Sequence, residues 1–142
     1  MDFSFLPRMK SISRLIALFG LLISNNTQAQ VWINEIDSDT PGTDDKELVE
    51  LRTPAPFTSL NGYTLVFYNG NPTASNANRS YLSIALDGFS TDANGLFLIG
   101  NNAVSPVPSL ILPNNIIQNG EDAVAVYQAP VANFPDSTLA NA

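Results

Sequence analysis

Apolar residues come in short runs along this chain, and Asn, Asp, Gly, Pro and Ser stand between them. Short apolar runs bounded by such breakers read as β-strands. The pattern predicts strands at 31–36, 47–52, 63–68, 81–86, 96–99, 110–112 together with 116–117, and 123–127. From residue 30 onward no window carries the sustained i, i+3, i+4, i+7 apolar stripe of an amphipathic helix. Prolines at 41, 54, 56, 72, 106, 108, 113, 130 and 135 leave little room for one. Seven short strands spaced by turn residues predict an all-β sandwich or barrel.

Alternation assigns the faces. Tyr63, Leu65 and Phe67 share one side of their strand, and Glu47, Val49 and Leu51 oppose Leu48, Glu50 and Arg52. Val124 and Val126 point one way, and the small Ala123 and Ala125 the other. The run Leu96-Phe97-Leu98-Ile99 is apolar on both sides, which predicts a central strand. Asn69-Gly70 is a strong turn signal, but the polar run 71–80 follows it, so a longer loop is expected there. The tail 128–142 shows no strand pattern and reads as a loop, which would leave a sheet edge open.

The first 29 residues break the pattern. Arg8, Lys10 and Arg14 precede the apolar run 15–23, and the polar stretch 24–29 ends at Ala29. This is the order of a helical Sec-type signal peptide, with Met9 as an alternative start. Nine apolar residues reach about 14 Å as a helix, too short for a bilayer core of about 30 Å. The expected domains are therefore a leader over 1–29 and a β-sandwich over 30–142, secreted or held at the cell surface. Cleavage after Ala29 leaves Lys46, Arg52 and Arg79 against twelve acids. Such an acidic balance argues against direct nucleic-acid binding, which works by phosphate neutralisation.

The chain has no His and no Cys. That excludes disulfides, thiolate chemistry, Ser-His-type triads and the common zinc ligand sets. An exported chain without Cys also looks bacterial. Carboxylates remain. Asp37, Asp39, Asp44, Asp45 and Glu47 fall within eleven residues, and together they form a candidate Ca²⁺ site, since Ca²⁺ prefers oxygen ligands. The EF-hand pattern fails, because Pro41 takes the fifth position and Leu48 the twelfth. The bland alternative is a solvated acidic hairpin loop. Glu35 and Glu50, on neighbouring strands with Arg52, read either as a glycosidase-like pair or as a structural cluster neutralised by Arg52. Gly62 and Gly120 are expected at turns with positive φ. Trp32, Phe67, Tyr68 and Phe97 read as core or half-buried sheet residues before they read as a sugar-stacking platform.

Three segments in order carry a resemblance: Val31-Trp32-Ile33-Asn34-Glu35-Ile36; then Lys46-Glu47-Leu48-Val49-Glu50-Leu51 with Ser59-Leu60-Asn61-Gly62-Tyr63-Thr64-Leu65; then Ile116-Ile117-Gln118-Asn119-Gly120-Glu121-Asp122-Ala123-Val124-Ala125-Val126. The set resembles the lamin-tail domain (LTD) family in its bacterial secreted branch. That branch reads "INEI", an acidic loop, "EFVEL", "LSGWTL" and "QNGxDAVAL". Here Tyr63 replaces the family's Trp and Leu48 its Phe. The resemblance implies an immunoglobulin-like β-sandwich. It also implies an accessory module at the N-terminus of a larger secreted protein, often an extracellular nuclease. The family continues into a strand near "LIDALVY" that this sequence lacks, so a truncated chain with its final strand missing is expected. A metal-dependent nuclease site needs His, so no catalysis is carried over. The expected function is a non-catalytic binding or spacer module, with no cofactor unless Ca²⁺. Its partner would be an extracellular ligand or the downstream domain of the same protein. A calcium-dependent adhesion or carbohydrate-binding module and a small carboxylate-based hydrolase are the alternatives.

Overall fold

The computed structural model describes residues 30–39 and 42–140; the expected leader lies outside them. Seven strands follow in order: β1 (Trp32–Asp37), β2 (Leu48–Arg52), β3 (Thr64–Asn69), β4 (Ser80–Ala85), β5 (Leu96–Asn101), β6 (Leu110–Leu112) and β7 (Asp122–Tyr127), then a 3₁₀ turn at Val131–Asn133. The all-β expectation holds, and each predicted strand lies within two residues of an observed one. Ile116 and Ile117 differ: they sit in a loop, where Ile117 is buried and packs into the core without pairing.

The strands form two sheets, β1-β2-β5-β6 and β4-β3-β7. All pairings are antiparallel except β5 with β6. Inward-facing residues of both sheets build one core: Val49, Leu51, Phe97, Ile99 and Leu112 from the first, and Leu65 and Phe67 from the second, with Val124 and Val126 packed against them. Strand alternation dictates this, because an apolar residue at every second position makes one apolar face that only a second such face can cover. Between Phe67 and Tyr68 the register slips, so that Phe67 faces Leu82 and Tyr68 faces Ser80. Tyr81 is the extra residue of this bulge. Its ring therefore joins Leu82 against the core, 6.0 Å from Phe67.

Every residue of β3 is buried, on both faces. The second face is the one opposite the core, with Thr64, Val66 and Tyr68. Residues 129–140 form no strand, as expected of a loop, but they cover this face, which corrects the expectation that the tail leaves the sheet open. Thr64 Oγ1 donates to the Ala129 carbonyl (2.7 Å), Ser83 Oγ to Phe134 (2.8 Å) and Ser80 Oγ to Pro135 (2.9 Å). Phe134 stacks on Tyr127 at 4.5 Å. The tail then bridges β4's free edge: Ser80 N–H donates to Thr138, Ser137 N–H to Ser80, and Ala140 N–H to Asn78. The long loop expected after Asn69 is present, with β4 starting only at Ser80. Gly62 and Gly120 have φ of 77° and 144°, as expected of turn glycines.

Candidate functional site

The five acids of the candidate calcium set divide between two environments. Asp37 closes β1 and is exposed, as is Asp39, whose N–H donates to Asp37 Oδ1 at 3.4 Å. Asp45 is half-buried. Asp44 and Glu47 are buried, Glu47 completely (0% exposed). Among the described residues no three His, Cys, Asp or Glu side chains converge on a point that could hold a metal. Chain direction carries Asp37 and Asp39 outward at the end of β1, while alternation along β2 turns Glu47 inward with Val49 and Leu51. Lys46, between them, is exposed and borders a shallow groove of about 310 Å³ with Asp37, Leu48 and Val104.

Glu47 sits at the centre of a buried polar network. Its N–H donates to Asn101 Oδ1 at 2.6 Å, and its carbonyl accepts the Asn101 N–H at 3.0 Å. Asn101, itself 0% exposed, donates through Nδ2 to the Pro113 carbonyl at 2.8 Å. Glu47 Oε2 accepts the Ile116 N–H at 3.3 Å. Asp44 is tied to the same segment: its carbonyl accepts the Asn115 N–H, and its Oδ2 accepts the Asn119 side-chain amide. Next to this, Tyr81 hydroxyl donates to Asp122 Oδ2 at 2.6 Å and accepts the Gln118 N–H at 3.2 Å. The approach to β2, the end of β5 and the 113–119 loop are thus stitched together by polar groups at one end of the sandwich. Burial raises the Tyr81 hydroxyl well above the usual phenol range, and the Asp122 hydrogen bond adds to this.

One atom of this network has no partner. Glu47 Oε1 is inaccessible to solvent and accepts no hydrogen bond. Burial pushes the Glu47 carboxyl above its ordinary value near 4.5. The Asp44 charge pushes the same way, and the Ile116 and Asn101 hydrogen bonds oppose both. A raised folded-state value makes folding progressively less favourable as pH climbs through the carboxyl range, because the unfolded chain ionises first. In a chelator-containing buffer, Glu47→Gln is therefore expected to be more stable than the parent near neutral pH. The difference should vanish below about pH 4, where the carboxyl is neutral in both states. Thermal melts of both chains across that range measure it; a pH-independent gap contradicts it.

The other candidate residues are arranged more simply. Glu35 and Glu50 stand opposite each other in the β1–β2 register, so their Cβ atoms are about 5 Å apart. Glu50 Oε1 accepts a hydrogen bond from the neutral Asn34 side-chain amide at 2.6 Å. Arg52 lies opposite Trp32. A second groove of about 270 Å³ on this outer face is lined by Glu50, Asp92, Leu96, Leu98 and Val107. Asp92 is committed to its own turn: its Oδ1 accepts the N–H groups of Asn94 and Leu96, and those bonds lower its carboxyl value. Phe67, Phe97 and Tyr68 are buried. Among the described residues the strongly exposed aromatic is Phe57 (70%), held at φ 52° with its N–H on the Asp92 carbonyl. Sequence pattern did not single out Phe57, Asn101 or Tyr81, and Asn119 entered only within the segment that carries the lamin-tail resemblance. No known family matches the chain, and neither does any curated protein or solved structure.

Proposed function

We propose that the chain is a non-catalytic, exported module with an immunoglobulin-like β-sandwich related to the lamin-tail domains, which binds or spaces within a larger secreted protein such as an extracellular nuclease. The observation that carries this reading is the use to which the polar side chains are put. Asp44, Glu47, Asn101, Asn119, Tyr81 and Asp122 are consumed in joining strands to loops, and Glu50 and Asp92 hold neighbouring backbone and amide groups. A catalytic pair needs an acid and a base left free to face a substrate. The segments that carry the lamin-tail resemblance fall on β1, β2, β3 and β7 with their approaches, two strands of each sheet. The leader-like order of residues 1–29 supports export. Among the described residues no helix is long and apolar enough to cross a membrane.

Expression of the whole chain in a bacterial host tests the reading. The exported species is expected to begin at Gln30 by mass spectrometry and to show no hydrolysis of DNA or glycans. Reading the gene in frame past codon 142 is expected to reveal a further, His-containing domain. Retention of the leader in the cytoplasm, or a hydrolase activity abolished by Glu50→Gln in a folded protein, overturns it.

A further inference from the structure

We propose that Asn119-Gly120 is a self-modification site, at which the Gly120 nitrogen closes on the Asn119 side chain and water opens the ring to an aspartyl or isoaspartyl residue. The chain has four Asn-Gly pairs, at 61–62, 69–70, 94–95 and 119–120. Glycine favours this ring because no Cβ crowds the attacking nitrogen. By sequence the four pairs are equal, and the fold separates them. Attack needs a glycine N–H out of any hydrogen bond and an asparagine side chain able to swing. Gly62 N–H donates to Asp87 Oδ1 at 2.8 Å, and Asn61 Oδ1 accepts the Gly88 N–H at 2.7 Å. Asn69 is buried in β3, with Nδ2 on Asn76 Oδ1 and Oδ1 on the Asn71 N–H, while Gly70 packs against the Glu121 backbone. Gly95 N–H donates to the Asp92 carbonyl at 3.1 Å, and its own carbonyl accepts the Thr53 N–H at 2.8 Å. Asn119 and Gly120 are both exposed. Among the described residues nothing accepts the Gly120 N–H, and a Cβ built there would meet nothing within 4 Å. The Asn119 amide has a tie to Asp44 Oδ2 through Nδ2. That tie holds the nitrogen that leaves, and the nitrogen that attacks stays free.

The chemistry needs only water. The Gly120 nitrogen bonds to Asn119 Cγ, the Cγ–Nδ2 bond breaks, and Nδ2 leaves as ammonia with the proton that Gly120 gives up. Water then adds to one of the two ring carbonyls. Addition at Cγ leaves an ordinary aspartyl residue; addition at the backbone carbonyl leaves the chain running through the side chain, one methylene longer. Nothing is oxidised or reduced. Either product replaces a hydrogen-bond donor by a carboxylate opposite Asp44, which is 7% exposed. Like charges brought together in a half-desolvated place repel, so the change unfastens the 115–119 loop from Asp44 just before β7.

The test ages the whole purified chain in warm, mildly alkaline buffer, with a second portion in concentrated urea, and maps peptides by mass spectrometry at intervals. In urea the four pairs are expected to convert at similar rates, because only their local sequence then counts. In the folded chain Asn119 is expected to convert about tenfold faster than Asn61, Asn69 or Asn94, the rate equivalent of one hydrogen bond that must break before attack. Water enriched in heavy oxygen should label the product. Asn119→Gln keeps an amide but must close a larger ring, so it is expected to abolish this product and leave the other three pairs unchanged. Asn119→Asp copies the aspartyl product and is expected to melt below the parent near neutral pH. Conversion of Asn61, Asn69 or Asn94 as fast as that of Asn119 in the folded chain overturns the proposal, as does an unlabelled product. An Asn119→Asp chain that melts with the parent overturns the claim that the change unfastens the loop. None of these outcomes bears on export or on the non-catalytic reading.

Discussion

A chain ended at Gln128 is expected to lose most of its folding stability and to self-associate. Removing residues 129–142 uncovers Thr64, Val66 and Tyr68, which are 1%, 0% and 3% exposed on the face of β3 away from the core. Re-exposing Val66 and Tyr68 costs about 1.5–3 kcal/mol each. The hydrogen bonds from Thr64, Ser80 and Ser83 to the tail add about 0.5–1.5 kcal/mol each. A small domain has only about 5–15 kcal/mol in total. Loss of Phe134 from the Tyr127 ring removes the remaining cover at the end of β7. The free edge of β4 then loses its bridge between Arg79 and Leu139, and an unpaired edge is a template for a second chain. Urea unfolding followed by circular dichroism should show the midpoint fall by more than half, with dimers or larger species on gel filtration. An unchanged midpoint would show that the tail rests on the sheet without holding it.

That tail marks where sequence pattern stops being informative. The strands were legible because alternation is a local signal: Leu65 and Phe67, or Val124 and Val126, declare their face through neighbours two residues away. The same signal reached further than the acidic run suggested. Glu47 alternates with Val49 and Leu51, which places it on the core face, although it is one of five acids that read as a solvated loop. What no local pattern encodes is which distant group pays for burying a polar residue. Asn101 lies 54 positions from the Glu47 N–H that it receives, and at the end of an apolar strand it looks like an ordinary turn residue. The tail is illegible for a related reason. Its hydrogen bonds to β4 run through backbone carbonyls at 134, 135 and 138, which every sequence possesses. The bulge at Tyr81 was hidden too, because one inserted residue shifts the register without disturbing the composition of the strand.

Asn101→Ala is expected to cost about 1–3 kcal/mol, the second large effect, because it strands a completely buried backbone N–H and takes the donor from a neighbouring carbonyl. The Glu47 N–H loses the acceptor it reaches at 2.6 Å, and the Pro113 carbonyl loses the donor at 2.8 Å. The Glu47 N–H cannot turn to water, since Asn101 and Glu47 are both 0% exposed, whereas Pro113 lies exposed. A second substitution separates this loss from simple cavity formation. Asn101→Asp keeps the volume and keeps an oxygen for the Glu47 N–H, but near neutral pH it offers no donor to Pro113 and sets a new negative charge beside the Glu47 carboxyl. At acid pH the aspartic acid regains an O–H to donate, and that charge is gone. Asn101→Asp should therefore approach the parent's stability below about pH 4 and fall away from it as pH rises, whereas Asn101→Ala stays destabilised throughout. Amide exchange gives the local readout: the Ile116 N–H, held by Glu47 Oε2, should lose protection in both variants near neutral pH and regain it only in Asn101→Asp on acidification. An alanine variant within 0.5 kcal/mol of the parent, roughly the noise of a surface substitution, would mean that the 113–119 loop closes on β5 without this asparagine.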